Sequence, residues 1–516
     1  MNELKDRSVF VEASEVPKGP IIFVMVLGAF VAILNQTLLN VALPVMIVDM
    51  EMSANAAQSL TTIFMLVNGI LIPITAFLME KFTTRHLFLT AMSLFALGTL
   101  ICGTSFSFLA LLMGRVVQAA GAGIMMPLLM NVILSLFPIE KRGSAMGYIG
   151  LAMMFAPAIG PTLSGFIVQS YSWRVLFFIV LPITVIDIIL AYFLLRNVTK
   201  VSNPKVDYKS IILSTFAFGG LLYGFSSAGE KGWTSIEVLL PLIAGAGIMF
   251  FFVSRQLRLK TPMLEFRVFK YNMFTLTTII NVVVTMSMFA AMILIPIYLQ
   301  NIRGFSPLES GLLLLPGAII SAFMSPITGK LFDRIGARPL ALIGLGITAL
   351  TTFLFANLTD ETGYYFMMFG YSLRMVGISM IMMPIMTAGL NQLPRRLYAH
   401  GTAMANTLRQ MSGSIGTAFL VTVMSSQTAK HVADFMPASG TPSEQQLISI
   451  ENLASIQGIN DSFMVATVFA VLGFILSFFI KRTAPVEEDQ EYNQQMATKS
   501  SSKRQVNQNV NPSHSK

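Results

Sequence analysis

The chain has 516 residues, 54% of them hydrophobic and only 11% charged, with a mean hydropathy of +0.70. Soluble domains carry about 25% charged residues, so this composition excludes an ordinary soluble fold and fits a polytopic helical membrane protein. A single cysteine, Cys102, excludes an intramolecular disulfide framework, and the four scattered histidines leave no zinc constellation. The net charge of +9 would point to nucleic acid only if the basic residues formed one patch.

Apolar runs of about 20 residues predict fourteen transmembrane helices in chain order. They fall at 21–42, 57–79, 87–105, 109–136, 145–169, 175–196, 209–228, 236–254, 273–299, 307–332, 339–357, 363–390, 402–424 and 463–482. Continuous apolar runs are not the alternating strands of an outer-membrane barrel. The first run follows a polar, acid-containing leader and is read as a retained span rather than a signal peptide. The expected organisation is a leader over 1–20, six helices over 21–196, two extra helices with their linkers over 197–272, six more helices over 273–482, and a disordered polar tail over 483–516.

Basic residues sort by loop. One side keeps only Arg174, Lys231, Arg303 and Lys430, while Arg115, Arg374 and Arg409 lie within spans, so 27 of the 34 Lys and Arg residues fall on the other side. The positive-inside rule makes that side cytoplasmic and places both termini there. The positive charge is therefore explained by topology, and no nucleic acid is expected.

An internal repeat organises the spans. Residues 73–85 read PITAFLMEKFTTR and residues 326–338, lying 253 positions later, read PITGKLFDRIGAR. Glu80 and Lys81 are matched in charge by Asp333 and Arg334, and Arg85 by Arg338. A second pair follows: Arg115 precedes Met125-Met126-Pro127, and Arg374 precedes Met382-Met383-Pro384. Spans 2 and 4 thus correspond to spans 10 and 12, in a six, two, six layout. Parallel six-helix repeats with a site between them at the midplane are a transporter architecture.

These residues resemble the major facilitator superfamily, and within it the fourteen-helix drug:proton antiporter family, over roughly residues 20–482. Asn35-Gln36-Thr37-Leu38-Leu39-Asn40 looks like the family's first-helix motif and is similar to its lincomycin-resistance branch. The loops 76–85 and 329–338 resemble the superfamily's loop signature, and Arg115 with Gln118, Gly121 and Gly123 its fourth-helix motif. The stretch from Ala156 to Gly165, with Pro157, Gly160, Pro161 and Ser164, resembles the antiporter motif. Trp173-Arg174 and Asn406-Thr407-Leu408-Arg409-Gln410 are also family-like. The sequence departs where Asn35 replaces the usual Asp, and where Ala76, Glu80, Thr83 and Ala119 replace signature residues.

Each motif has a physical reading. The acids Glu80 and Asp333, with Lys81, Arg85, Arg334 and Arg338, sit where charge-assisted hydrogen bonds can latch one conformation and break in another; the plain alternative is a set of interfacial charges. Pro157, Pro161 and Gly165 recur beside Gly160 and Ser164 as a small-residue packing face, which the resemblance assigns to closure against the second half. Arg115, Gln118 and Arg374 face the interior, because a buried arginine is costly elsewhere. Arg409 either does the same or snorkels. Asp187 is the one clear carboxylate within a span; it either couples protons, a role Asn35 cannot fill, or bonds a polar neighbour. The 35 Met residues suit an adaptable apolar cavity or lipid-facing surfaces.

The function expected is proton-coupled export of lipophilic small molecules by alternating access, by a monomer in the cytoplasmic membrane. Its cavity set would be Asn35, Gln36, Arg115, Gln118, Asp187, Arg374, Asn406 and Arg409. Neither metal nor cofactor is expected, and no Walker-type sequence occurs for ATP. An exporter of one lipid or metabolite is the alternative, followed by a membrane sensor on the same scaffold; an enzyme would need a clustered acid, base and nucleophile.

Overall fold

The computed structural model describes residues 16–199, 201–202, 204–437 and 443–481. The first fifteen residues of the leader, Lys200 and the tail from 482 lie outside the described residues.

Fourteen long helices follow one another among the described residues. They are α1 (Lys18–Asp49), α2 (Ala54–Lys81), α3 (Thr84–Gly103), α4 (Phe108–Leu136), α5 (Arg142–Ser170), α6 (Arg174–Leu194), α7 (Tyr208–Lys231), α8 (Ile236–Arg258), α9 (Asn272–Ile297), α10 (Pro307–Ile335), α11 (Ala337–Phe355), α12 (Tyr364–Leu390), α13 (Tyr398–Phe435) and α14 (Glu444–Ser477). Spanning helices satisfy their own backbone polar groups, which lipid cannot do. Their starts are set by polar caps: the Ser53, Thr83, Ser107 and Asp207 side chains accept from the first turns of α2, α3, α4 and α7. Ser306 with Glu309, and Ser443 with Gln446, form full capping boxes on α10 and α14.

Thirteen of these helices are long and apolar enough to cross a membrane. The exception is α13, whose first turns carry His400, Asn406, Thr407, Arg409 and Gln410. That helix also corrects the predicted span of 402–424, and α14 corrects 463–482, since both extend further at the end where they meet. A 38-residue helix is about 57 Å long, against a hydrocarbon core of about 30 Å. The two helices therefore continue past the apolar zone as an antiparallel pair, tied by His431 Nε2 and Asp461 Oδ2 at 2.8 Å.

The repeat is visible in the packing. A Cβ on Gly98 would lie 2.7 Å from Gln118 Cα, so α3 and α4 touch backbone to backbone. At the equivalent place Gly344 and Gly377 bring α11 against α12, each Cβ meeting the other's carbonyl oxygen at 2.7 Å. The most deeply buried spans are α4 and α12, whose apolar windows are 83% and 89% buried, whereas that of α8 is 17% buried. The first two are interior helices and α8 is peripheral. Its partner α7 lies against α2 and α13. There Trp233, just past α7, donates to Thr422 on α13 at 2.7 Å, and Gly229 faces Ala418. The first and last six helices thus meet directly along α5 and α10, and meet along α2 and α13 with α7 beside the seam.

Candidate functional site

At the end of the bundle rich in Lys and Arg, here the basic face, the two six-helix groups are joined by three sets of polar contacts. On one seam α5 runs beside α10 with almost no side chain between them. A Cβ on Gly147 would lie 2.8 Å from both Pro326 Cα and Ser325 O, so only glycine permits this approach. The close approach carries Asp333, at the end of α10, onto the first turn of α5. Its carboxylate accepts from the Gly143 and Ser144 N–H groups, each at 2.8 Å, and from the Ser144 hydroxyl. A helix start offers unsatisfied N–H groups and partial positive charge, and an acid there is stabilised by both.

Arg142 makes the second set. It is buried, donating to Asn391 Oδ1 at 3.0 Å and Tyr398 Oη at 2.8 Å across the seam, and to Leu134 O and Phe137 O within its own group. The third set is the repeat partner of the first. Glu80, at the end of α2, places Oε1 3.0 Å from His400 Nε2 in the first turn of α13. The His400 ring is buried and its Nδ1 accepts from the Glu265 backbone N–H at 3.3 Å.

The basic residues of the loop signature do not share these contacts. Arg85 turns back into its own group, donating to Tyr192 O at 2.6 Å and lying over the Tyr192 ring. Lys81 stands over the rings of Phe77 and Phe82. Arg334 and Arg338 are exposed. The three sets of contacts named above are made by the acids, by Arg142 and by His400.

The interior residues form two related clusters. Arg115 donates to Leu60 O at 3.3 Å and to Gln118 Oε1 at 2.6 Å, and lies over the Phe64 ring, while Gln118 donates to Thr99 Oγ1 at 2.8 Å. Arg374 donates to Thr352 Oγ1 at 3.1 Å and Ser287 O at 2.7 Å. Thr352 follows Thr99 at the same offset as the two loop copies. Both guanidinium groups are buried on carbonyl, amide and hydroxyl oxygens rather than on a carboxylate, and Nη2 of Arg115 has no partner. Asn406 donates to Thr402 O at 2.9 Å and to Met130 Sδ at 3.1 Å, a contact between α13 and α4. Arg409 reaches back to Asn406 Oδ1 at 3.4 Å, and its Nε is buried without a partner. Asn35 is buried with Nδ2 unpartnered, and Gln36 beside it is half-buried.

Asp187 on α6 is fully buried and neither carboxylate oxygen has a hydrogen-bond partner. It packs against α1, where a Cβ on Gly28 would come within 2.9 Å of Oδ2. Of the two readings of Asp187, the bond to a polar neighbour is not made, and Arg115 is engaged by Leu60 O and Gln118.

The small-residue stripe of α5, which the resemblance assigns to closure against the second half, makes these contacts with the first. Ser164 donates to Leu38 O at 2.7 Å, and Thr37 reaches Ala156 O at 3.5 Å beside Gly160. This stripe packs on α1, within the same six-helix group. Gly165 would have nothing within 4 Å of its Cβ, and Pro157 and Pro161 are only half-buried. Along α5, the face turned to α10 is that of Gly143, Gly147 and Gly150.

At the opposite face, Asp49 accepts from Trp173 Nε1 at 2.8 Å and Arg174 Nη1 at 2.9 Å, and Arg174 Nε donates to Ser105 O at 3.1 Å. The Trp173 hydrogen bond, then that of Arg174, holds the Asp49 carboxyl below the usual carboxylate range.

His400, Arg142, Ser144 and Asn391 were not singled out from sequence. A signal existed: Arg142-Gly143-Ser144-Ala145-Met146 is matched by His400-Gly401-Thr402-Ala403-Met404, a third repeat pair marking both helix starts that receive the acids.

Residues 25–417 match the family described as Major Facilitator Superfamily. The chain is 51% identical to the uncharacterized MFS-type transporter YcnB of Bacillus subtilis, over 93% of this chain and 98% of that protein. It is 43% identical to the lincomycin resistance protein LmrB of Listeria innocua, over 90% and 97% of the two chains. Among solved structures, that of the human organic anion transporter MFSD10 matches with a TM-score of 0.65 at 14% identity, covering 90% of this chain and all of that one, which shows a shared fold.

Proposed function

The chain belongs to the major facilitator superfamily of membrane transporters, and from that premise we propose that it is a proton-coupled exporter of lipophilic small molecules. In this reading it works as a monomer in the cytoplasmic membrane, with the basic face and both termini in the cytoplasm, where loops rich in Lys and Arg belong. The observation that carries it is the reciprocal pair of contacts at the basic face. An acid ending α10 holds the start of α5, and an acid ending α2 holds the start of α13. Two bodies joined by short polar contacts at one end have a bond set that can be broken and remade, as alternating access requires.

Two further features support the finer parts. The interior carries Met125, Met130, Met382, Met383 and Met386 in its core, and thioethers repack around varied apolar ligands. Asp187 supports proton coupling: a buried carboxylate with no hydrogen bond carries charge only at a large desolvation cost, which a bound proton removes. LmrB's name ties that relative to lincomycin resistance, which makes lincomycin the first compound to try.

The test is efflux of a compound panel from a transporter-deleted strain, followed by substrate-induced proton release in proteoliposomes. We expect energised export of several lipophilic compounds, and loss of both export and proton release in Asp187→Asn. Adding Asn35→Asp to that variant returns a carboxylate to the first-helix motif, and partial recovery is expected. Export of a single lipid or metabolite would favour the dedicated-exporter reading, and unchanged proton release from Asp187→Asn would remove the coupling role of that acid.

A further inference from the structure

His400 occupies a place none of the motifs anticipates. Three separate pieces of chain meet on its ring: Glu80 from the end of α2, the backbone of Glu265 from the linker between α8 and α9, and α13, on which His400 itself sits. The linker is also fastened to the extra helices, since Leu264 N–H donates to Gln256 Oε1 on α8 at 3.3 Å. Gln256 in turn donates to Ser210 on α7 at 2.6 Å. A line of contacts therefore runs from α7 and α8 through residues 264–265 to the ring, and from the ring to the first six helices.

The hydrogen-bond directions fix the form of the ring. A backbone N–H can only donate, so Nδ1 facing Glu265 is an acceptor and carries no hydrogen. Nε2 then carries the hydrogen and donates it to the Glu80 carboxylate. The ring is a neutral tautomer bridging a donor and an acceptor. A second proton has only Nδ1 to go to. It would turn that acceptor into a donor aimed at another donor, ending the Glu265 bond, while the new positive charge strengthens the contact with Glu80.

The other charged or titratable side chains on the elements packed here are Lys81 on α2, Lys260, Arg267, Lys270 and Tyr271 in the linker, and Arg395, Arg396 and Tyr398 beside His400. Lys81 lies over the Phe77 and Phe82 rings. Arg267 is committed to the Glu265 carboxylate at 3.2 Å and to Leu257 O at 2.8 Å. Tyr398 accepts from Arg142. The Glu265 side chain thus has its own cation, and Glu80 is the carboxylate that meets the ring.

We infer that His400 is a positioning residue that exchanges one contact for another when it binds a proton. The neutral ring ties the α8–α9 linker to the basic-face gate, and the charged ring releases the linker and grips Glu80. The two extra helices are by this account connected to the gate and uncoupled from it by protonation. The inference goes beyond the transport reading and needs no transported compound for its test.

The experiment is hydrogen exchange on the purified full-length protein between pH 8 and pH 5, the interval in which histidine is the ordinary side chain to change charge. Exchange of residues 259–265 is normalised to that of a segment of α4, to remove the intrinsic effect of pH. In the wild type, protection of the linker should fall about tenfold towards pH 5. In His400→Gln, whose amide offers a donor and an acceptor but does not titrate, the ratio should stay flat. In Glu80→Gln the linker response should persist, because the bond that protonation ends is the one between Nδ1 and the Glu265 N–H. A flat wild-type ratio overturns the inference. So does a wild-type response retained in His400→Gln. If that variant does not fold, a linker response lost in Glu80→Gln, where the Glu265 bond to the ring is left in place, overturns it equally.

Discussion

The two ends of the repeat, α10 upon α5 and α2 upon α13, solve one mechanical problem with different chemistry. In the first, Asp333 is held by two backbone N–H groups and a hydroxyl, none of which changes charge at any accessible pH. The same seam is lined by glycines that leave no room for a side chain. In the second, Glu80 meets an imidazole, the one side chain whose unperturbed titration falls near neutrality. That seam carries the extra helix α7 alongside. The two acids stand at equivalent positions of the repeat, and the receiving helices differ at the matched residue, Arg142 against His400, so an imidazole meets the acid at only one of the two seams.

The sharpest way to break this comparison is steric. Gly147→Leu puts a side chain where a Cβ alone comes within 2.8 Å of Pro326 Cα and Ser325 O. The basic face then cannot close along α5 and α10, and export should be abolished with protein abundance unchanged. Retained export in vesicles would mean that this close approach is not part of the cycle. Asp333→Asn comes next. Its amide can still accept but loses the charge that makes bonds to a helix start strong, and about a tenfold loss of export, roughly 1.4 kcal/mol, is expected. The loss should be the same at pH 5 and pH 8. Glu80→Gln should cost less, about threefold, and its cost should depend on pH because its partner titrates. Equal, pH-independent losses in both variants would erase the distinction between the seams.

How much of this was legible in sequence depends on what kind of fact is asked for. The acids announced themselves, because PITAFLMEKFTTR and PITGKLFDRIGAR repeat charge at matching positions. Their receivers did not: nothing local to Asp333 says that it will meet Ser144, 189 residues away. The short match around Gly143 and Gly401 becomes informative only once the acids are placed. The α5 stripe shows the same limit. Small residues at helical spacing foretell close packing, but Ser164 and Gly160 reveal their partner, α1, only in three dimensions. The extensions of α13 and α14 escaped a hydropathy reading because residues beyond the apolar zone are polar, although the Ser443 and Gln446 capping box marks where α14 begins.

The smallest expected effect lies at the opposite face and tests whether pH sensitivity is confined to the basic one. There Asp49 joins the end of α1 to the start of α6 through Trp173 and Arg174. Those two hydrogen bonds hold its pKa below the ordinary value, which is about 3.9 for aspartate. A depressed folded-state value means that the stabilisation is complete above the unfolded value and is lost only as pH falls through the folded one. Acidifying that side from pH 7 to pH 5 therefore leaves the contact charged and intact. The carboxylate is half exposed, so the contact is a surface ion pair of about 0–1 kcal/mol. Asp49→Asn keeps an acceptor for Trp173, and should lower the melting temperature by no more than about 2 °C. Export by that variant should follow the wild-type pH profile between 5 and 7. A profile displaced in Asp49→Asn would move proton sensing to the opposite face, and His400 would then be only one of two places where the cycle reads pH.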